Sequence, residues 1–557
     1  MPSPHSSQHS CRIIDITVEI GQSAKGAVFH VTRGRIVART SAAWTDRRTS
    51  TAHGPPESTR KDPQHMTAQT LEATDRLAGR NLIAGEWNDA GERLETINPS
   101  TGSVLGTYAS AGEAQARAAI AAARDTFDNT QWSRDPRIRS RAIHELADRL
   151  EERVDEVALM LSRENGKRLP ETTWEVSTTV DWLRYAAASA LVLDGGRSSE
   201  VSPGVYFQTG REAMGVIGII TPWNSPVILS MRSIGPALAA GCTMVVKMPG
   251  QTALTNTLVA EIVASTQSIP PGVISILTEG GNEVAPTLVA SPDVDMISYT
   301  GSTHVGRAIA AAGAATLKRL SLELGGKTPL VIFDDADLDV VMNNVIAATC
   351  LMNGQFCLTG SRILVQRSIA DRLRPMIIEA ISNLRAAPSE DPTGDLGPLI
   401  DAASAQRVDE IVSSAEKYAK VLVRGGVVVD DERPGGAFYQ PSLLEVDRLD
   451  VPVVQDELFG PVQTFEIFDD EADAVRMANG TSFGLGAAVF TTDEWKARRV
   501  TRNMRAGFVW TNCWGVIHEA FEEGGLKQSG YGLLCGPSAI TEFQDTKLYA
   551  QVAPTAG

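Results

Sequence analysis

At 557 residues, with 43% hydrophobic and 21% charged side chains, the chain is too long for one small core and predicts two or three domains. Its net charge of −16 argues against a general nucleic-acid or membrane-surface role, because phosphate would repel it. No apolar run reaches membrane-span length, no secretory segment appears, and the six cysteines have no paired spacing, which together predict a cytoplasmic protein.

Residues 1–65 differ in kind from the rest. They are rich in Ser, Arg and His, lack a helical period, and include the loop-like Ala52-His53-Gly54-Pro55-Pro56. A disordered extension or translated upstream sequence is expected there, with Met66 opening the folded chain. A transit peptide is the competing reading. Asp15, Glu19, Asp46, Glu57 and Asp62 weigh against it, because such peptides are poor in acids. From Ala114 to Thr126 and from Arg139 to Glu164 apolar positions recur at helical spacing, predicting two amphipathic helices. Gly195–Met214 is turn-rich and alternating, like a hairpin.

After Gly215 the texture changes. Apolar, β-rich runs at Val216–Ile220, Thr243–Val246, Val273–Leu277 and Met296–Tyr299 alternate with helical patterns such as Leu254–Ser265 and Val305–Ala312. Such alternation predicts a parallel, doubly wound sheet, which binds a nucleotide at the carboxyl ends of its strands. A second set follows Lys327: Leu330–Phe333, a helix near Leu338–Met352, Ile363–Val365 and a helix near Ala370–Leu384. This predicts a separate α/β domain with Cys357 at its front. The last apolar run, Thr541–Val552, is suited to pair with the edge of the hairpin.

Three runs carry the chemistry: Thr221-Pro222-Trp223-Asn224-Ser225-Pro226, Leu322-Glu323-Leu324-Gly325-Gly326-Lys327, and Asn353-Gly354-Gln355-Phe356-Cys357. An amide donor, a carboxylate base and a thiol nucleophile are the parts needed to oxidise a carbonyl through a thioester. In this order they closely resemble the NAD(P)-dependent aldehyde dehydrogenase superfamily, from about Arg80 to about Leu548. The resemblance implies two Rossmann-like open α/β domains plus a β-hairpin and edge-strand oligomerisation arm. Residues 66–190 and 214–325 would form the cofactor-binding domain, 326–525 the catalytic domain, and 191–213 with 540–557 the arm of a homodimer or homotetramer.

The resemblance also assigns roles. Cys357 is the nucleophile that attacks a small-molecule aldehyde; a free cysteine is otherwise usually an apolar filler, the reading kept for Cys242, Cys350 and Cys513. Glu323 is the base. Its apolar neighbours should raise its pKa toward neutrality, and its presence favours release of a free acid over transfer to coenzyme A. Asn224 supplies a side-chain N–H to the oxyanion beside the backbone N–H of Cys357, although an asparagine before Pro226 also suits a helix cap. For the cofactor the implied contacts are Thr221, Trp223, Lys247, Gly250, Gly301, Ser302, Gly325, Glu457 and Phe459, with Ser302 facing the pyrophosphate at a helix N-terminus.

Departures from the family pattern bear on selectivity. Gly250 stands where NAD-preferring relatives often carry a glutamate, so NAD or NADP, with dual use, is expected. Met231-Arg232-Ser233 replaces the frequent Trp-Lys, and Glu522-Glu523 replaces Pro-Phe before the double glycine. Arg232, Trp514, Ile517, His518 and Phe521 are expected around the substrate mouth, favouring aromatic or medium-chain aldehydes, with a solvated charge the plainer reading of Arg232. No metal site is expected, since after Met66 only His144, His304 and His518 remain and none has ligand spacing. The rival from another class is a catalytically silent protein of the same fold. Semialdehyde or betaine-aldehyde oxidation is the alternative within the family.

Overall fold

The apolar runs of the first half become the centre of an eight-stranded sheet in the computed structural model, which describes residues 77–192 and 196–553. The expectations for residues 1–65 lie outside that range. Val216–Ile220 runs parallel to Thr243–Pro249 on one side and Met296–Thr300 on the other, and Ile274–Glu279 and Arg319–Glu323 continue the parallel array outward. Short antiparallel strands finish both sides, Gly530–Tyr531 beside Arg319–Glu323, and Asn81–Ile83 beside Ile274–Glu279 with Glu86–Asn88 at the outer edge.

Helices cover both faces. They are α1 (Glu113–Asn129), α2 (Pro136–Glu151), α3 (Val154–Asn165), α4 (Leu169–Ser189), α5 (Pro226–Ala240), α6 (Ala253–Ser265), α7 (Val284–Ala290) and α8 (Thr303–Gly313). Alternate strand residues feed different cores. Ile217, Ile219, Met244 and Val246 pack with α2 to α6, whereas Val216, Ile220, Val245 and Ile297 pack with α1, α7 and α8. Burial on both faces is why these strands read as unbroken apolar runs. One expectation needs correction: the helical period from Arg139 to Glu164 is broken at Glu152–Arg153 into α2 and α3. The apolar stripe continues from Leu150 to Val157 and Leu161, all fully buried, so the pattern passes through the bend unchanged.

A second, seven-stranded sheet runs in the order Lys420–Val423, Ser442–Glu445, Val462–Phe468, Arg362–Gln366, Pro329–Ile332, Gly486–Phe490, Phe508–Thr511. All its pairings are parallel except the first. The helices α9 (Leu338–Cys350) and α10 (Arg367–Ser382) lie where the second alternation predicts them. Apart from both sheets, Val205–Ala213 pairs with Ser198–Ser202 as a hairpin and along its whole length with Gln544–Val552. Among the described residues no helix is long and apolar enough to cross a membrane.

Candidate active site

The carboxyl ends of the parallel strands gather the residues singled out in the sequence. Asn224 lies in the turn between the Val216–Ile220 strand and α5, Ser302 caps α8 just after Met296–Thr300, and Glu323 ends its own strand. The Thr221–Ser225 turn is fixed from three sides. The Thr221 N–H donates to the Lys247 carbonyl (3.1 Å), and Asn165 Nδ2 donates to the Asn224 carbonyl (3.3 Å). From α4, the Glu175 carboxylate accepts the N–H groups of Val227 (3.1 Å) and Ile228 (3.2 Å) and so caps α5. Lys167 neutralises that carboxylate in a buried ion pair and donates to Ser225 Oγ at 3.0 Å. Held this way, Asn224 aims Nδ2 at the Gln355 carbonyl, 3.1 Å away and two positions before the nucleophile.

The nucleophile turn leaves α9 through a short 3₁₀ segment in which Met352, Asn353 and Gly354 all have left-handed backbones (φ 52°, 59° and 72°). Two consecutive non-glycine residues in that region store strain, and the surroundings hold them there. Asn353 is fully buried, donating to the carbonyls of Gly166 (3.0 Å) and Pro398 (2.8 Å) and accepting from the Gly397 N–H (2.6 Å). Gln355 accepts from Ile400 N–H, and the Trp514 indole donates to the Leu358 carbonyl at 2.9 Å. Gly326 brings the base segment against this turn: a Cβ there would lie 2.2 Å from the Cys357 carbonyl oxygen, so only glycine permits the approach.

Burial sets the electrostatics. Desolvation pushes the Glu323 carboxyl up to about 7, with Arg232 pulling it down and Glu523 pushing it further up. The half-buried Cys357 thiol is pushed up to about 12, chiefly by desolvation, so it rests protonated and needs a base.

The residues expected to hold the cofactor lie at or near strand ends and helix starts of the two sheets. Gly301 allows the turn after Met296–Thr300 to close, since a Cβ there would meet the Tyr299 hydroxyl at 2.2 Å. That hydroxyl leans on the Ser302 carbonyl (3.4 Å), and the exposed Ser302 accepts from Val305 N–H with its Oγ, capping α8 and leaving the hydroxyl proton outward. Lys247 ends near Glu279 (3.9 Å), whose other oxygen caps α7 through the N–H groups of Glu283 and Val284. A Cβ at Gly325 would meet Glu457 Oε2 at 2.3 Å, and Glu457 accepts from the Gly326 N–H (3.1 Å). Phe459 holds a left-handed backbone (φ 53°) and meets Trp223 edge to face at 5.4 Å. Gly301 and Gly325 thus let the Tyr299 ring and the Glu457 carboxylate close against the backbone.

The profile of the aldehyde dehydrogenase family matches residues 87–549. The chain belongs to the aldehyde dehydrogenase family. Similar proteins include (Z)-2-((N-methylformamido)methylene)-5-hydroxybutyrolactone dehydrogenase of Acinetobacter baylyi, 32% identical over 84% of this chain and 95% of that one. The betaine aldehyde dehydrogenase of Vibrio vulnificus is 34% identical over 86% and 97%. The mitochondrial succinate-semialdehyde dehydrogenase of Oryza sativa subsp. japonica is 34% identical over 86% and 90%. Among solved structures, betaine aldehyde dehydrogenase from Staphylococcus aureus in complex with NAD+ superposes with a TM-score of 0.83 at 31% identity, over 85% of this chain and 95% of that one. The NAD-dependent aldehyde dehydrogenase from Sinorhizobium meliloti gives 0.83 at 32%, over 86% and 96%. Family membership makes the chain an NAD(P)-dependent oxidoreductase and aldehyde oxidation its class of reaction.

The substrate-mouth residues do not converge as expected. Arg232 is no solvated charge: it is buried, because Glu523 meets its guanidinium at 2.9 Å and Thr300 Oγ1 at 3.2 Å. Trp514 is buried behind the nucleophile turn, edge to face with Phe356. Ile517 packs on Trp182, Ile228 and Cys535, while His518 and Phe521 are exposed and meet edge to face. The acidic pair splits, Glu522 facing outward to accept from Ser538 and Glu523 turning inward. Sequence reasoning missed Asn165, Lys167 and Glu175, which lie at the end of α3, in the link after it and on α4, just beyond the helical period read from Arg139 to Glu164. It also missed Tyr108, whose hydroxyl occupies the space beside Gly250. Among the described residues no group of His, Cys, Asp and Glu could hold a metal ion.

Proposed function

We propose that this chain oxidises an aldehyde to its carboxylic acid with NAD(P), through a thiohemiacetal and a thioester on Cys357. The observation that carries the reading is convergence: the Asn224 amide reaches the nucleophile turn, and the bare backbone of Gly326 brings the Glu323 segment against the Cys357 carbonyl. Glu323 accepts the thiol proton as the sulfur attacks, since a thiol pushed up to about 12 does not ionise unaided. Asn224 turns its N–H from the Gln355 carbonyl to the developing oxyanion. Lys247, Ser302, Glu457 and Phe459 would hold NAD(P), which would supply the hydride acceptor. Glu323 then releases the thiol proton to solvent, takes one from the water that cleaves the thioester and passes it to the departing Cys357 sulfur.

The finer readings rest on the same residues. Arg232 is paired with Glu523 and Ile228, Leu229 and Ile517 pack as an apolar cluster nearby in the chain, which supports an aromatic or medium-chain aldehyde over a charged one. Dual cofactor use is favoured by Gly250, which leaves no carboxylate to repel a 2′-phosphate. The hairpin with Gln544–Val552 exposes Tyr206, Leu548, Tyr549 and Val552, as an arm joining copies of the chain would. The two large sheets would be the cofactor-binding domain (66–190 and 214–325) and the catalytic domain (326–525), in a cytoplasmic enzyme.

The test is steady-state reduction of NAD and NADP over benzaldehyde, hexanal, succinic semialdehyde and betaine aldehyde, with Cys357→Ala beside the parent. We expect reduction that vanishes in the variant, with benzaldehyde or hexanal fastest. No reduction by a folded, cofactor-binding parent would favour the silent reading instead.

A further inference from the structure

Three buried charged groups crowd one spot on the first sheet. Arg232 is 8%, Glu323 5% and Glu523 4% exposed, which is far from the solvent that normally satisfies such groups. Arg232 Nη1 stands 2.9 Å from Glu523 Oε2 and 3.9 Å from Glu323 Oε2. Its Nη2 donates to Thr300 Oγ1 at 3.2 Å, and Thr300 sits directly across the strand ladder from Glu323. The guanidinium is therefore clamped by the base's own neighbour. Three atoms in the group lack a protein partner: Glu323 Oε1, Arg232 Nε and Glu523 Oε1. Beside Arg232, though not reaching either carboxylate, is a cavity of about 30 Å³ lined in part by Met231 and Cys535.

We propose that Arg232 and Glu523 form a positioning pair for the base Glu323: the guanidinium anchors one carboxylate oxygen and leaves the other free to take a proton, while Glu523 withholds enough of the positive charge to keep Glu323 basic. One cation cannot offset two buried carboxylates. The short contact goes to Glu523, so Glu523 is the ionised partner and Glu323 carries the deficit. The direction of the Glu323 shift, upward through burial and Glu523 and downward through Arg232, accords with this division. The other groups facing Glu323 are the thiols of Cys357 and Cys535, both pushed upward and neutral, and the Gly525 N–H. They cannot substitute for the missing charge.

The inference rests on Glu323 being the base, and the experiment separates the two. The pH dependence of kcat would be measured for the parent, Glu323→Gln, Glu523→Gln, Arg232→Met and the Arg232→Met/Glu523→Gln double variant, each checked for fold and cofactor binding. Glu523→Gln hands the whole guanidinium charge to Glu323, so the acidic limb should move down by about one pH unit. Arg232→Met leaves two carboxylates without a cation, so the limb should move up by about one unit or more. The double variant removes both charges and should return most of the way to the parent; if Arg232→Met does not fold, Glu523→Gln alone decides. A limb unmoved in folded Glu523→Gln, with Glu323→Gln inactive, would overturn the pair's role and leave the reaction intact. Full turnover in Glu323→Gln would overturn both.

Discussion

A side chain at position 250 has nowhere to go. Its Cβ would lie 2.2 Å from the Tyr108 hydroxyl and 3.0 Å from Gly280 Cα, so the missing carboxylate is a packing fact as much as a selectivity one. Gly250→Ala should lower stability by about 1–3 kcal/mol through overpacking, and the added Tyr108→Phe, which removes the clashing atom, should restore much of it. Thermal melts of the single and double variants would decide. Asn224→Ala should reduce kcat on the order of a hundredfold while leaving cofactor affinity unchanged, because its amide serves the oxyanion. A drop of severalfold or less in steady-state assays would return Asn224 to a cap. Cys357, Glu323 and Asn224 were legible in the sequence because each sits in a run whose neighbours share its task. Glu523 and Tyr108 were not, since what each touches lies far along the chain: the Arg232–Glu523 contact spans 291 residues.

Helix α5 shows how elements aim the site. Its first turn begins with Pro226, and the orphan N–H groups behind it end on Glu175 rather than on a local cap. Lys167→Met would leave Glu175 buried without its cation, a loss of about 3–5 kcal/mol, and kcat should fall with it as the Asn224 turn loosens. Chemical denaturation alongside turnover measures both. Strands and helices of the first sheet fell close to their expected bounds because burial on both faces forces long apolar runs. The α2–α3 break was invisible for the opposite reason: no glycine or proline marks it and the apolar stripe crosses it in phase.

For the molecule as a whole, acid–base linkage and assembly follow from the same burial. The Glu323 carboxyl at about 7 is raised above its ordinary value near 4.5, so the unfolded chain loses that proton first. Its contribution to stability is complete below pH 4.5 and drains away as pH rises through 7, by at most about 3 kcal/mol. Glu323→Gln should therefore gain in melting temperature over the parent between pH 5 and pH 8. A constant difference across that range would contradict the linkage. On the exposed three-stranded sheet, Leu548→Glu with Val552→Glu should reduce the assembly mass by light scattering without altering the melting of the protomer. The pairing of its two distant pieces was expected from the alternation of Gly195–Met214 and the apolar run at Thr541–Val552.

The reach from Arg232 to Glu523 also governs timing. Synthesis proceeds from the amino end, so Cys357 and Glu323 leave the ribosome long before Glu523, and until Glu523 docks the guanidinium has no closer carboxylate than Glu323. On the proposed pairing, the setting of the base would therefore wait for one of the last segments of the chain to be made and docked.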